Sequence, residues 1–265
     1  MSVIVAIPIY NEAKYITGVV PEVQRYVPEV LVIDDGSTDS SPQLLVEVGN
    51  LHVIRHERNM GYGQSLLNAF NYAICKNKQW IITMDCDRQH EPASIPDFLA
   101  AVASDQYDII SGSRYLRPTA DDSSPPPERR EINAEITEIL KQRLNLSLTD
   151  AFCGFKAYRV SRLAELKITE PGYAMPLQLW VHAVRRGLRI HEIPVRLIYN
   201  DPKRSFGGPL DDREYRRQHY LCVLHQALTE SLGELEGCYC RSVGSEPCQA
   251  VRDIYERSRQ GAPSR

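Results

Sequence analysis

Asp85 and Asp87 stand directly after the apolar run 80–84, with one residue between them. Two carboxylates in this arrangement at the end of a strand can face one cation together. Hard divalent ions such as Mg²⁺ and Mn²⁺ prefer oxygen ligands, and substrate phosphates can supply the ligands that the protein does not. Gln89 or His90 could add a further ligand, although for His90 alone a satisfied surface histidine is the favoured alternative. The alternative is a solvated acidic turn, because Asp-x-Asp is a common pattern.

A second acidic pair, Asp34 and Asp35, closes another apolar run and leads into the polar segment 37–39. Carboxylates in this position can accept hydrogen bonds from ribose hydroxyls or from a base N–H. A turn followed by a helix N-cap explains residues 37–39 equally well. That alternative explains the acidic pair less well, because adjacent negative charges repel each other.

A third polar segment, residues 8–12, follows the first apolar run of the chain. Pro8 and Tyr10 could form a wall against a flat base. The alternative is structural: Pro8 ends the strand, and Asn11 caps the helix that follows.

These segments fall at the ends of strands in an alternating strand and helix pattern. The hydrophobic periodicity predicts strands at residues 3–8, 30–34, 51–55, 80–84 and 107–112. Helices are predicted between them at residues 12–27, 40–48, 62–76 and 93–103. Helices of this length imply parallel crossovers and a doubly wound, mostly parallel α/β sheet flanked by helices. Ligands bind beyond the carboxyl ends of the strands in such sheets, where the acidic segments lie.

Residues 117–130 interrupt the pattern, because three consecutive prolines exclude a helix or a central strand and predict an exposed loop. Beyond it, the pattern predicts a helix, a strand at 154–159, a helix at 172–186, a strand at 190–199 and a helix at 214–232. We predict one catalytic domain over residues 1–236, with a nucleotide-binding half at 1–116 and an acceptor half at 117–236. Residues 237–265 are predicted to be a polar tail.

The composition excludes several classes of protein. The chain has 265 residues and a formal net charge of −3, so no basic excess indicates binding to nucleic acid. No apolar run approaches the roughly 20 residues that span a bilayer. The seven cysteines are odd in number and irregularly spaced, which argues against a disulfide framework. We therefore expect a cytoplasmic protein, and leave open peripheral contact with the inner membrane face through a partner.

Taken in order along the chain, the motifs resemble glycosyltransferase family 2, and in particular its polyprenyl-phosphate (dolichyl-phosphate) sugar transferases. The resemblance covers roughly residues 3–208. It is carried by the segments 8–12, 34–39, 59–63, 84–90, 111–115, 153–159 and 192–195. It implies a glycosyltransferase-A fold that binds a UDP- or GDP-linked sugar together with Mg²⁺ or Mn²⁺.

The resemblance also implies roles for individual residues. The nucleoside would be held by Pro8, Tyr10, Glu12 and Asp35. The metal and the diphosphate would be held by Asp85, Asp87 and Gln89, with Arg114 near the phosphates. Arg204 would reach the leaving group from a lid formed by the loop 201–212, although an ordinary basic surface loop is the alternative. Catalysis would then depend on Asp87 and Arg204.

One difference from the polyprenyl-phosphate sugar transferases of the family bears on the acceptor. Many family 2 enzymes carry a Glu-Asp pair that supplies a general base, but residues 173–179 hold no carboxylate. Gln178 occupies the position of the glutamate that is usual in the branch. An alcohol acceptor needs a base, whereas a phosphate acceptor is already ionised. The missing carboxylate therefore favours an acidic acceptor.

A second departure points the other way. The corresponding helix of the branch is apolar and basic and lies on the membrane, but residues 129–138 contain three glutamates, which repel anionic lipid. Arg129 and Arg130 could still meet an acceptor phosphate. We expect either a lipid phosphate, reached through a membrane partner, or a soluble acceptor.

We therefore expect an inverting, metal-dependent transfer of sugar from a nucleotide-diphosphate sugar. A nucleotidyltransferase is one alternative, but it would show a glycine-rich loop after the first strand, and residues 8–12 contain no glycine. The other alternative is a non-catalytic relative that binds sugar nucleotides or acts as a scaffold, which the missing base allows.

Overall fold

The computed structural model describes residues 1–118, 122–200 and 205–232, which form one mixed sheet between two layers of helices. The strands are β1 (Val3–Ile9), β2 (Val30–Asp34), β3 (His52–Arg55), β4 (Trp80–Thr83), β5 (Ile109–Ser113), β6 (Lys156–Arg159) and β7 (Ile190–Pro194). The α-helices are α1 (Ala13–Gln24), α2 (Ser41–Val48), α3 (Tyr62–Cys75), α4 (Ile95–Ala103), α5 (Pro127–Leu144), α6 (Val160–Leu163), α7 (Met175–Arg185) and α8 (Arg213–Leu232). Two short 3₁₀ turns lie at Pro92–Ser94 and Gly208–Asp211.

The strand order is β3-β2-β1-β4-β6-β5-β7, and β6 alone among these strands runs antiparallel to its neighbours. The expected mostly parallel sheet is therefore confirmed. The carboxyl ends of β1, β2, β4 and β5 lie at one edge of the sheet. Because β6 is reversed, its amino end reaches the same edge and brings the preceding loop, residues 145–155, with it.

Alternating side chains of the strands bury the two faces of the sheet, as the two-residue period of a strand requires. Ile4 and Ala6 of β1 belong to a core cluster that includes residues of α3, α5, α7 and α8. Val5 and Ile7 of the same strand belong to the opposite cluster, with residues of α1 and α4. Both layers therefore fix the strand ends from which the polar loops leave.

Several predicted boundaries are wrong, and the partner strands explain two of them. β7 ends at Pro194 rather than at residue 199, because its partner β5 ends where Ser113 accepts the backbone N–H of Val195. β6 begins at Lys156 rather than at residue 154, because its partner β4 ends at Thr83. The short helix α6 was not predicted.

The loop predicted for residues 117–130 is also shorter than expected, because α5 begins at Pro127. Proline suits the first turn of a helix, where its missing N–H has no partner to lose. Arg129 and Arg130 therefore lie on a helix, which restricts the directions that they can reach. The predicted tail 237–265 lies outside the described residues, as does Arg204.

Helices α5 and α8 are joined by ion pairs as well as by apolar packing. Ile132, Ile136 and Leu140 of α5 are buried in the core, so this face of the helix packs on the protein. The ion pairs between the two helices are Arg213–Glu131, Arg216–Glu128 and Arg217–Glu135. Within the part of the chain that is described, no helix combines the length and the apolar character needed to cross a bilayer.

Candidate active site

A cavity of about 870 Å³ opens at the sheet edge where the polar loops meet. Nine of the residues singled out from the sequence line it: Pro8, Tyr10, Glu12, Asp35, Asp85, Asp87, Gln89, Arg114 and Arg129. Arg130 is exposed and is not among the lining residues. Residues that are far apart in sequence therefore share one cavity, which is lined from both the first and the second half of the chain.

The corner between β1 and α1 is held by the segment that follows β2. Asn11 adopts a left-handed backbone conformation (φ 57°), and its side-chain oxygen accepts the backbone N–H groups of Thr38 and Asp39. The carboxylate of Asp39 in turn accepts the backbone N–H groups of Ala13 and Ser41, at the starts of α1 and α2. The structural alternative, in which Asn11 caps α1, is therefore wrong, because the N–H group at the start of α1 is bound by Asp39 of the neighbouring segment.

Asp34 and Asp35 tolerate each other because each carboxylate has its own partners. Asp35 accepts the backbone N–H groups of Met60 and Gly61 at 2.7 and 2.9 Å, and its Oδ1 lies 2.6 Å from Nδ1 of His56. Asp34 is fully buried and accepts the backbone N–H three residues further on. Asp35 thus fixes the loop before α3 while it lines the cavity.

The loop after β4 folds back on itself around Asp85 and Asp87. Oδ1 of Asp85 accepts a hydrogen bond of 3.0 Å from the hydroxyl of Tyr62. Oδ1 of Asp87 accepts the backbone N–H of Gln89 at 2.9 Å. Burial raises the pKa of Tyr62, and the neighbouring Asp85 adds to this effect, so the phenol stays protonated and donates to the carboxylate. Both aspartates line the cavity.

His90 supports this loop and is not placed as a metal ligand. Its Nδ1 accepts the backbone N–H of Asp85 at 2.9 Å, so the nitrogen's lone pair is already used. Its Nε2 lies 3.8 Å from the sulfur of the buried Cys153. Burial lowers the pKa of His90 to about 4, so the ring is neutral at neutral pH. His90 is therefore a hydrogen-bonded histidine, as the alternative expected, but a buried one rather than a surface one.

The donor set of the loop suits a cation that shares its ligands with a substrate. In residues 1–118, 122–200 and 205–232, no three His, Cys, Asp or Glu side chains converge on a point that could hold a metal. Mg²⁺ usually binds through one or two carboxylates and completes its shell with phosphates and water. Asp85 and Asp87 offer such a partial shell, so the residues present fit a divalent cation. The buried Nε2 of the adjacent Gln89 has no hydrogen-bond partner among the described residues, and this donor is available to a substrate oxygen.

Arg114 follows β5 and forms a two-pronged ion pair with Asp150. Its Nε and Nη2 donate to the two carboxylate oxygens at 2.6 and 2.9 Å. Burial disfavours the charge of Arg114, but the facing carboxylate outweighs that cost and raises its pKa. Asp150 was not singled out from the sequence, because no motif or spacing marks it. It is found only because the reversed strand β6 brings its loop to the same edge.

The other end of the cavity is built from aromatic and arginine side chains. The guanidinium of Arg129 lies 4.4 Å from the ring centre of Phe206 and 5.2 Å from that of Tyr199. Arg216, on α8, lies 4.7 Å from the same Phe206 ring. Burial lowers the pKa of Arg129, with a further contribution from Arg216. This part of the cavity therefore combines two guanidinium groups, of which Arg216 is paired with Glu128, with flat apolar surfaces.

Sequence reasoning missed most of this aromatic lining. Tyr62 stands in one of the motifs that carry the family resemblance, but the sequence assigned no role to it. The other rings are single residues in loops or on helices, where nothing in the sequence distinguishes them from core residues. They include Phe152, Tyr173, Tyr199, Phe206 and Tyr220.

The described structure has the glycosyltransferase-A fold. It superposes on glucosyl-3-phosphoglycerate synthase from Mycobacterium tuberculosis, solved with Mn²⁺, uridine diphosphate and glucosyl-3-phosphoglycerate, with a TM-score of 0.67. The match covers 89% of this chain and 82% of the other, at 18% sequence identity.

The sequence defines the family more closely. The family model of glycosyl transferase family 2 matches residues 4–166. The chain is 28% identical over 207 residues to undecaprenyl-phosphate mannosyltransferase of Micrococcus luteus, covering 75% of this chain and 84% of that protein. It is 32% identical to undecaprenyl-phosphate 4-deoxy-4-formamido-L-arabinose transferase of Proteus mirabilis, covering 76% and 62% respectively. The chain therefore belongs to glycosyltransferase family 2.

Proposed function

We propose that the chain transfers a sugar, with inversion, from a UDP- or GDP-linked donor to a phosphate-bearing acceptor, with the help of a divalent cation. One observation carries the acceptor class. Among the described residues of the acceptor half, the cavity is lined by two arginines, Arg129 and Arg216, and by no Asp or Glu. Because Arg216 is paired with Glu128, the positive charge offered to an anion comes mainly from Arg129, and no lining carboxylate of that half can remove a proton.

The donor end of the cavity suits a nucleoside. Pro8 and Tyr10 supply flat surfaces for a base, and Glu12 and Asp35 supply carboxylates for ribose hydroxyls or a base N–H. The solved relative in complex with uridine diphosphate, which has the same fold, supports a nucleotide as ligand.

In this proposal Asp85, Asp87 and Gln89 hold the cation and the diphosphate. When bound, the cation would neutralise the charge that develops on the departing diphosphate. The Nε2 donor of Gln89 and the guanidinium of Arg114 can bind phosphate oxygens from the protein side. Mn²⁺ in the solved relative supports a metal in this fold.

An ionised acceptor removes the need for a general base. A phosphate oxygen donates an electron pair to the anomeric carbon, the bond from that carbon to the diphosphate oxygen breaks, and the electron pair leaves with the diphosphate. No proton has to move. Gln178 cannot replace a base, because its side-chain oxygen accepts the backbone N–H groups of Thr169 and Glu170.

The names of the Micrococcus and Proteus relatives support a polyprenyl phosphate as acceptor. Arg129 is the side chain best placed to meet that phosphate, and the rings around it can contact an attached apolar chain. Because the described helices include no membrane span, a lipid acceptor would be reached by peripheral contact with the membrane or through a membrane partner.

The proposal is tested first by a thermal-shift panel of UDP- and GDP-sugars with Mn²⁺, in which a true donor raises the melting temperature. The donor that binds is then incubated with undecaprenyl phosphate in detergent or with 3-phosphoglycerate, with and without EDTA. We expect transfer to one of these phosphates, lost in EDTA and restored by Mn²⁺. Binding without transfer or donor hydrolysis would favour the non-catalytic alternative, and full activity in EDTA would refute the metal.

A further inference from the structure

Asp150 is a fully buried carboxylate that holds one arginine of the cavity wall in a fixed orientation. Its Oδ2 accepts hydrogen bonds from Nε and from the backbone N–H of Arg114 at 2.6 and 3.2 Å. Its Oδ1 accepts from Nη2 of the same arginine at 2.9 Å. Such a paired contact fixes the plane of the guanidinium as well as its position. Nη1 of Arg114 takes no part in this pairing and is the nitrogen left for another oxygen.

Asp150 is itself held in place by the loop around it. Glu192 of β7 accepts the backbone N–H groups of Thr149 and Asp150 at 2.8 and 3.0 Å. Oδ1 of Asp150 also accepts the backbone N–H groups of Phe152 and Cys153 at 3.1 and 3.2 Å. The carboxylate therefore cannot turn away from Arg114 without breaking the loop.

Stability alone is a weak explanation for this ion pair. A buried pair is often no more stable than well-packed apolar side chains of the same volume, because both charges must leave water. This pair is also asymmetric: the side chain of Asp150 is 0% exposed, whereas that of Arg114 is 23% exposed and lines the cavity. The buried Asp150 thus orients an arginine whose side chain is still accessible to a ligand.

We propose that Asp150 is a positioning residue, which holds Arg114 in the orientation that binds a phosphate oxygen of a substrate. The inference rests on the proposed function, since it requires a phosphate in the cavity. Two substrates could supply that phosphate: the diphosphate of the donor or the phosphate of the acceptor. The chemistry recognised by Arg114 is the same in both cases.

The variant Asp150→Asn tests this in two binding arms. One arm measures the Kd of UDP and of GDP with Mn²⁺, and the other the Kd of undecaprenyl phosphate in detergent. Uridine and guanosine serve as ligands without phosphate. We expect affinity to fall at least ~10-fold in one arm, as for the loss of a charged hydrogen bond, and to stay unchanged for the nucleoside. The arm that loses affinity identifies the phosphate.

Asp108→Asn is the matched control. Asp108 is also a buried aspartate, paired with Arg159 and Arg189, but it precedes β5 and lies at the opposite end of that strand from Arg114. Its variant should lower the melting temperature and leave both phosphate affinities unchanged. The double variant Arg114→Met/Asp150→Asn should bind phosphate no more weakly than Arg114→Met alone, because both changes remove one interaction.

If Asp150→Asn does not fold, Glu192→Gln provides the test, because it loosens the same loop without removing the ion pair. We expect a ~3-fold loss in the same arm. The inference would be overturned if Asp150→Asn left both phosphate affinities unchanged or weakened nucleoside binding as much as phosphate binding. It would also be overturned if the losses of affinity of the two single variants multiplied in the double variant. The proposed function would stand in each of these cases. A wild-type protein that binds none of these phosphates would refute the proposed function, and the inference would fall with it.

Discussion

The hydroxyl of Tyr62 donates a hydrogen bond of 3.0 Å to Oδ1 of Asp85, and so links the start of α3 to the acidic loop after β4. The ring of Tyr62 also stacks on that of Tyr173, with 5.6 Å between ring centres. Tyr62 thus donates a hydrogen bond to one oxygen of Asp85 and fixes the orientation of the carboxylate.

Tyr62→Phe should weaken the response to metal while the fold is kept. Groups that orient a metal ligand typically change metal affinity or activity by ~10- to 100-fold when they are removed. We expect the Mn²⁺ concentration for half-maximal transfer to rise at least ~10-fold. Tyr72→Phe, on the same helix but in contact with His52, is the control and should leave that concentration unchanged. An unchanged Mn²⁺ response in Tyr62→Phe would show that the contact has no role.

Gly154→Ala should disturb the same carboxylate from the other side. A Cβ atom at Gly154 would lie 2.6 Å from the hydroxyl of Tyr62 and 2.8 Å from Oδ2 of Asp85. Because displacements of about 1 Å can cost ~100-fold in rate, we expect kcat to fall by ~10- to 100-fold.

Gly187→Ala is the control for that substitution. Gly187 has a positive φ of 64°, and a Cβ atom added there would meet no described neighbour within 4 Å, so alanine adds backbone strain only. It should lower stability by about 1–2 kcal/mol and leave kcat unchanged. Equal losses of kcat in the two variants would indicate that Gly154→Ala acts through stability.

Arg129 and Arg130 should behave differently, although they are adjacent in sequence. Arg129 lines the cavity, whereas Arg130 is exposed beside Tyr115, with 6.0 Å between the guanidinium and the ring centre. Arg129→Gln should raise the KM for the phosphate acceptor by ~10- to 100-fold, as for the loss of a charged hydrogen bond. Arg130→Gln should change it less than about 2-fold. The reverse order of effects would contradict the placement of the acceptor.

The sequence was sufficient to predict the carboxyl ends of β1 to β5 to within one residue, because those apolar runs are short and each is followed by a polar segment. It did not reveal the reversal of β6, since a four-residue strand carries no sign of its direction. The roles of Asp150 and Gly154 depend on that reversal, and they were missed for the same reason. Arg129 lines the cavity and Arg130 does not, because both lie on α5 and point in different directions. The start of α5 at Pro127 could not be predicted from the proline-rich segment.

Hydrogen bonds between residues that are distant in sequence could not be predicted either. Asp35 was proposed only for the nucleoside, yet it also accepts two backbone N–H groups of the loop before α3. The alternative for Asn11 was a cap on α1, but its side chain binds the segment after β2 instead. A spacing rule describes one element at a time, so it cannot show contacts that form when two strand ends meet.

Asp108 should make stability depend on pH in the acidic range. Hydrogen bonds from Arg189 are the largest cause that lowers its pKa from 3.8 to about 2. A lowered pKa in the folded state means that the stabilisation is fully present above about pH 4 and is lost as the pH falls towards 2. The melting temperature of Asp108→Asn should therefore lie below that of the wild type at pH 7, and the difference should close near pH 2. A difference that is constant with pH would contradict this assignment.

The most direct test of the proposed cation and nucleotide site is a crystal structure of the protein grown or soaked with Mn²⁺ and the nucleoside diphosphate that binds. We predict an anomalous manganese peak within coordinating distance of the Asp87 carboxylate, with diphosphate oxygens on its other side and the nucleoside near Tyr10. A cavity without metal or nucleotide at saturating concentrations, with Asp85 and Asp87 both directed into solvent, would contradict it.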